Sequence, residues 1–186
     1  MHSVLKNNPH LRLHYLMIAE GGIFRSDSAV QTVLGSCVSI TFHHPKERIG
    51  AIFHALLPTW RDYENPLAEA NRYRYVDSAV DAICDRLTRK GLRLNALDCK
   101  VFGGASPLLP GELGAGKKNV QSALESLERH GLRVVASNVG GLQGRKLIFV
   151  VENGMVLIKK LRAQQYQDTP PERNPDISIP PSRSRR

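Results

Sequence analysis

The sequence predicts an α/β protein in which a mixed or antiparallel sheet is layered against flanking helices in a single domain. Short runs rich in Val, Ile and Phe alternate with two segments whose apolar residues recur at helical spacing. Several of the runs are separated only by a turn, which favours hairpins and therefore antiparallel pairing. A length of 186 residues suits one domain that buries most of its apolar surface.

Two helices are predicted, each with an apolar stripe and a terminating glycine. The first has the stripe Val76, Ala79, Val80, Ile83 and Leu87, and ends before Gly91. The second is expected near residues 117–130, with the stripe Val120, Ala123, Leu124 and Leu127, and ends before Gly131.

The strands are predicted from β-branched and aromatic runs bounded by turn residues. Residues 33–42 and 49–57 are two such runs, separated by the turn HHPKER. LDCKVFGG (97–104) is a strand that leads into a glycine turn. LRVVAS, RKLIFVV and GMVLIKKL follow as strands, and Asn153-Gly154 joins the last two as a strong hairpin signal.

The chain is expected to comprise a folded domain over residues 1–162 and a disordered tail over 163–186, which contains five prolines and almost no apolar periodicity. The apolar runs are short, and the N-terminus lacks the pattern of a signal peptide, so a cytoplasmic location and no membrane insertion are expected. Three cysteines without a C-x-x-C pair agree with a reducing compartment.

The net charge of +9 favours an acidic partner. Aromatic residues make up only 6% of the chain and do not interleave with the basic ones, which argues against nucleic acid as that partner.

Cys37 and His54 are predicted to meet across a hairpin whose turn is centred between Pro45 and Lys46. In that register Val38 faces Phe53 on an apolar face, and Cys37 faces His54 on the other face. Directly opposed residues place their Cβ atoms about 4.5–5.5 Å apart, within reach of a hydrogen bond between thiol and imidazole.

Such a pair can form a thiolate and an imidazolium, which together cleave an amide. The thiolate attacks the carbonyl and the imidazolium protonates the departing amine, while backbone amides near Gly35–Cys37 are candidates for stabilising the oxyanion. Thr32 is a candidate for the third group that orients His54. The alternative is structural, because a cysteine in an apolar strand is usually a core residue.

Several motifs resemble the CheD family of chemoreceptor glutamine deamidases. They are TVLGSCV (32–38), GAIFHALLP (50–58), RYVD (74–77), KVFGGA (100–105), KNV (118–120) and NVGGLQGRKLIF (138–149). The resemblance covers about residues 15–160 and implies a layered α/β sandwich. Asn138 departs from it, since many relatives carry Asp there.

The resemblance implies that Cys37, His54 and Thr32 are catalytic. The implied reaction converts glutamines on the cytoplasmic domains of chemoreceptors to glutamate and releases ammonia through a thioester. Some members of the family also hydrolyse receptor glutamyl methyl esters, and some bind a CheC-type phosphatase. A second hypothesis is a non-catalytic adaptor that retains the fold and binds a receptor or a phosphatase.

Two other kinds of site are disfavoured. Residues 111–117 match the phosphate-loop pattern G-x-x-x-x-G-K, but Lys118 replaces the Ser or Thr that would hold Mg²⁺, so a glycine-rich helix entry is favoured. The seven histidines, including His43 and His44, form no ligand cluster with cysteines or acids. We therefore expect no metal and no cofactor.

Overall fold

The computed structural model describes residues 6–60, 72–106 and 114–161. The predicted disordered tail at 163–186 lies outside these residues, as do residues 111–113 of the glycine-rich motif and residues 61–71.

The described strands form two mixed sheets. Sheet A contains β1 (Arg12–Tyr15), β3 (Ser28–Leu34), β8 (Arg145–Val150) and β9 (Met155–Lys160), in the order β1-β3-β8-β9. Sheet B contains β2 (Gly21–Phe24), β4 (Val38–His44), β5 (Ile49–Phe53), β6 (Asp98–Gly103) and β7 (Arg133–Val139), in the order β2-β5-β4-β6-β7. The pairs β1–β3 and β6–β7 are parallel, and the other neighbours are antiparallel.

The two sheets and two helices stack as three layers. Helices α1 (Val76–Arg89) and α2 (Ala115–Arg129) pack on one face of sheet B, and sheet A covers its other face. On strand β4, Val38, Ile40 and Phe42 belong to the core on the helix side of sheet B. Cys37, immediately before the strand, belongs to the core between the two sheets. The prediction of a layered α/β sandwich with flanking helices in one domain is confirmed.

The first predicted helix is confirmed: Gly91 follows α1 with a φ of 79°, a left-handed conformation suited to glycine. The second is confirmed as an element, but its buried stripe differs from the prediction. Leu124 is 46% exposed, whereas Asn119 and Ser122 are buried. The polar residues are buried because α2 covers backbone carbonyls that need hydrogen-bond donors.

The predicted strand over residues 33–42 is wrong as one element. Residues 33 and 34 end β3 in sheet A, and β4 begins at Val38 in sheet B. The chain crosses between the sheets through Gly35-Ser36-Cys37. Cys37 therefore lies on a crossover segment immediately before a strand, instead of inside one.

The predicted register of the β4–β5 hairpin is also wrong, by two residues. Val38 faces Ala55, and His44 faces Ile49. Both His43 and His44 extend the strand, so the turn has the four residues 45–48 and closes with Arg48 at a φ of 50°. A shift of two residues preserves the side of the sheet on which each side chain lies. The predicted faces are therefore retained although the partners change.

The later strands agree with the predictions. β6 ends in a glycine turn at Gly103 and Gly104, and β8 and β9 form the hairpin marked by Asn153-Gly154. No helix in the described part of the chain is long and apolar enough to cross a membrane.

Candidate active site

The crossover segment that carries Cys37 is held by the end of β6. The Gly104 N–H donates to the Cys37 carbonyl and the Ala105 N–H donates to the Gly35 carbonyl, each at 2.8 Å. Gly103 has a φ of 108°, and a Cβ on it would overlap the Cys37 carbonyl oxygen. The glycine turn therefore permits the close backbone approach that fixes the crossover segment.

His54 follows β5 directly and is fixed through its backbone. Its N–H donates to the Glu20 carbonyl at 2.8 Å, and its carbonyl accepts from the Ala19 N–H at 2.8 Å. The side chain is 3% exposed and meets Thr32 of sheet A. His54 is thus held in the space between the two sheets.

Thr32 lies between Val30 and Leu34 on β3, and these two neighbours contribute to the core between the sheets. Its hydroxyl Oγ1 is 2.9 Å from the Leu16 carbonyl oxygen and 2.8 Å from Nδ1 of His54. The hydroxyl has one proton, and the Leu16 carbonyl can only accept, so Thr32 donates to Leu16. Nδ1 of His54 must then carry the proton and donate to Thr32.

This assignment leaves Nε2 of His54 without a proton. Nε2 is buried and has no hydrogen-bond partner among the described residues. An imidazole nitrogen with a free lone pair is the form that a general base requires.

Cys37 and His54 lie on the same side of sheet B but are not directly opposed. Since Val38 faces Ala55, the residue opposite Cys37 would be Leu56, and His54 is its diagonal neighbour on the same face. The predicted direct opposition is therefore wrong. The structure places both side chains between the sheets and joins His54 to Thr32 by a hydrogen bond.

The thiol and the imidazole both favour their neutral forms. Burial raises the pKa of Cys37 to about 11, although its own backbone N–H acts in the opposite direction. Burial lowers the pKa of His54 to about 4, with the Leu16 carbonyl acting to raise it. The expected thiolate–imidazolium pair is thus disfavoured at neutral pH.

The other two cysteines lie in the core between sheet B and the helices. Burial, the largest factor for each, raises the pKa of Cys84 and of Cys99 to about 12. Neither belongs to the core between the sheets that contains Cys37.

Arg145 and Asn138 support the same region. Buried Arg145 donates to Oδ1 of Asn138 at 2.7 Å and to the carbonyls of Asn138 and Gly140. The segment it holds contacts the end of β6, because the Gly140 N–H donates to the Gly103 carbonyl at 2.9 Å. The amide oxygen of Asn138 therefore accepts the hydrogen bond from Arg145, and a carboxylate at this position is not required for that bond.

The sequence analysis did not identify Asn119 as a residue of the site. Its side chain donates hydrogen bonds to the carbonyls of Ser36, which precedes Cys37, and Leu56, two residues after His54. The signal was a polar residue four positions before Ala123, on the apolar stripe of a helix. The glycine-rich motif has a structural role at its end. Gly116 lies in the first turn of α2, where a Cβ would come within 2.5 Å of the Gly104 carbonyl oxygen.

A buried thiol, a histidine and a third polar group are the residue types that thiol-dependent hydrolases use, and here the histidine and the threonine are joined by a hydrogen bond. Comparison with known proteins gives the family. The model described as CheD chemotactic sensory transduction matches residues 56–160. The chain belongs to the CheD family.

Two curated relatives carry the name "Probable chemoreceptor glutamine deamidase CheD". The protein from Maridesulfovibrio salexigens is 39% identical over 170 residues, which is 87% of this chain and 99% of the relative. The protein from Nitratidesulfovibrio vulgaris is 38% identical over 163 residues, which is 82% of this chain and 79% of the relative. Among solved structures, a Neisseria meningitidis protein aligns with a TM-score of 0.44 at 10% identity, over 75% of this chain and 66% of that one.

Proposed function

We propose that this chain is a chemoreceptor glutamine deamidase, with Cys37 as nucleophile, His54 as base and Thr32 as the group that orients His54. The names of the relatives support the substrate. The geometry supports the chemistry through one observation. Because Thr32 donates to Leu16, His54 donates from Nδ1 and keeps Nε2 free to accept a proton.

The first half of the reaction forms a thioester. Nε2 of His54 takes the proton from the Cys37 thiol as sulfur attacks the side-chain carbonyl of the receptor glutamine. The tetrahedral intermediate collapses when the same nitrogen returns the proton to the departing ammonia. During attack the imidazole becomes positively charged, and its Nδ1–H bond to Thr32 strengthens.

The second half releases glutamate. His54 removes a proton from water, water attacks the thioester, and the Cys37 thiol is regenerated with that proton. A glutamyl methyl ester would form the same thioester with methanol as the leaving group. Receptor methylesterase activity is therefore part of the proposal.

Backbone amides of the crossover segment are suited to stabilise the oxyanion. Among the described residues, the N–H groups of Ser36 and Cys37 donate to no backbone carbonyl. Their neighbour Gly35 is fixed through its carbonyl, so the segment is held before substrate binds. Fixed donors of this kind stabilise developing negative charge at little reorganisation cost.

The proposed partners are the cytoplasmic domains of chemoreceptors, which places the action in chemotaxis adaptation in the cytoplasm. The net charge of +9 suits an acidic partner surface. We assign the catalytic role to residues 1–162. A CheC-type phosphatase partner remains a prediction from family resemblance.

The test is conversion of glutamine to glutamate in a purified receptor cytoplasmic fragment, followed by mass spectrometry of its peptides. Wild-type protein and a Cys99→Ala control are expected to convert specific glutamines, whereas Cys37→Ala and Cys37→Ser are expected to convert none. Conversion by Cys37→Ala at the wild-type rate would refute the nucleophile. Receptor binding without conversion by the wild type would favour the non-catalytic adaptor.

A further inference from the structure

Asn119 is a fully buried polar residue on the face of α2 that packs against sheet B. Its Nδ2 group lies 2.9 Å from the carbonyl oxygen of Ser36 and 2.9 Å from that of Leu56. Carbonyl oxygens only accept, so the amide must point its N–H₂ group at both of them. One side chain thereby donates a hydrogen bond to a carbonyl oxygen in each of two separate chain segments.

The two carbonyls flank the proposed catalytic pair. Ser36 precedes Cys37 directly, and Leu56 follows His54 by two residues. Between them the backbone pairing of β4 and β5 ends at Val38 and Ala55, which exchange hydrogen bonds of 3.0 and 2.9 Å. Beyond this pair the two segments are no longer joined by that ladder.

The next pair of an antiparallel ladder would join Ser36 to Leu57. The Leu57 N–H instead donates to the Arg74 carbonyl at 3.1 Å, and the Leu56 N–H donates to the same carbonyl at 3.0 Å. The Ser36 carbonyl would then lack this donor. The side-chain amide of Asn119 substitutes for the missing backbone donor. It joins the segment at Ser36 to the segment at Leu56 just beyond the last backbone pair of β4 and β5.

Asn119 is an expensive residue to bury for stability alone. Its Oδ1 is buried without a hydrogen-bond partner among the described residues, and an unsatisfied buried acceptor lowers the stability of the folded state. Ser122, one turn further along α2, offers a comparison because its hydroxyl donates to the Pro58 carbonyl at 2.6 Å and leaves no amide oxygen over.

We propose that Asn119 is a positioning residue that sets the separation between the Cys37 thiol and the His54 imidazole by joining the Ser36 and Leu56 carbonyls. The proposal rests on the proposed function of that pair. It follows from the geometry that releasing either carbonyl lets one catalytic segment move relative to the other. A misplacement of about 1 Å costs about 100-fold in rate.

The first experiment compares Asn119→Ala with Ser122→Ala, which removes a similarly buried hydrogen bond from the same helix. Receptor deamidation is measured in single turnovers, and stability by urea unfolding at the same temperature. Asn119→Ala is expected to lose about 10- to 100-fold in rate, whereas Ser122→Ala retains the wild-type rate even if it loses as much stability. Equal rate losses in the two variants would overturn the proposal.

The second readout is alkylation of Cys37 by iodoacetamide as a function of pH, which needs no receptor. Asn119→Ala is expected to reproduce the profile of His54→Gln, because the imidazole no longer reaches the thiol, and Ser122→Ala is expected to keep the wild-type profile. A wild-type profile in Asn119→Ala would overturn the proposal. This assay does not depend on the receptor substrate. The positioning role of Asn119 can therefore fail while the deamidase proposal holds, and the deamidase proposal can fail while the positioning role holds.

Asn119→Ser provides a variant that folds more readily if the alanine does not. A serine hydroxyl can donate to only one of the two carbonyls. Its alkylation profile is expected to lie between those of the wild type and His54→Gln. A wild-type profile together with a wild-type deamidation rate would show that the double hydrogen bond is not required.

Discussion

Replacing Thr32 by valine tests the proposed base most directly. Valine keeps nearly the same shape but substitutes a methyl group for the hydroxyl. The change removes the donor to the Leu16 carbonyl and the acceptor of the His54 Nδ1–H, which lie 2.9 and 2.8 Å from Oγ1. Both Thr32 and His54 are 3% exposed, so water does not replace the lost partner.

The magnitude follows from the charge that develops on His54. In the transition state the imidazole carries a proton on both nitrogens, and a hydrogen bond from a charged donor contributes about 1.5–3 kcal/mol. About 1 kcal/mol of this is already present for the neutral pair in the ground state, so only the remaining part, roughly 0.5–2 kcal/mol, slows the reaction. At about 1.36 kcal/mol for each factor of ten, the rate of Thr32→Val should fall about 2- to 30-fold. The free energy of unfolding should also fall, by about 1–3 kcal/mol, because a buried polar group loses its partner.

The assay is single-turnover conversion of receptor glutamine at a temperature well below the unfolding midpoint of the variant. Thr32→Ser is the matched control, since it retains the hydroxyl and is expected to lose far less rate than the valine variant. Two results would refute the reasoning. One is a wild-type rate in folded Thr32→Val, and the other is an equal loss in Thr32→Ser.

Three further predictions concern stability and its link to the site. His54 has a pKa of about 4 in the folded protein and the ordinary value of 6.5 in the unfolded chain. Between these pH values the unfolded chain binds more protons than the folded protein. Up to about 3 kcal/mol of the free energy of unfolding is therefore lost as the pH falls from 6.5 to 4. Urea titrations should show this loss in the wild type and its absence in His54→Gln. Gly103→Ala should lower both the stability and the deamidation rate, because the new Cβ would overlap the Cys37 carbonyl oxygen. The control Gly91→Ala also has a positive φ but lies in open space, so it should lose about 1 kcal/mol of stability and no deamidation rate. Equal deamidation rates in the two variants would contradict this explanation. Lys159→Glu should stabilise the protein by about 0.2–1 kcal/mol, because Lys159 directly opposes Lys146, and the gain should shrink in high salt.

The sequence alone determined both helices and the side of sheet B on which the residues around Cys37 and His54 lie. Apolar spacing located both helices, and glycine marked the end of the first correctly, because these signals are local to the backbone. Strand alternation placed Cys37 and His54 on the same side of sheet B. That result survived an error of two residues in the register, since the side-chain period in a strand is two.

The register itself depended on the turn. Its centre could not be obtained from the residues HHPKER, because His43 and His44 are compatible with a turn or with a strand. The structure extends β4 through both and closes the turn at Arg48 in a left-handed conformation. Likewise, the break at Gly35–Cys37 exists because β3 pairs in one sheet and β4 in the other. The local residue pattern does not indicate which sheet each strand joins.

Only the tertiary structure decided the protonation and support of the proposed base. Thr32 could be suggested by family resemblance, but the tautomer of His54 depends on the Leu16 carbonyl, which β3 and the adjoining segment bring to the same point. Asn119 reaches Ser36 and Leu56 from a helix more than sixty residues further along the chain. Such contacts arise when layers pack, and packing fixes atoms that sequence separation leaves undetermined.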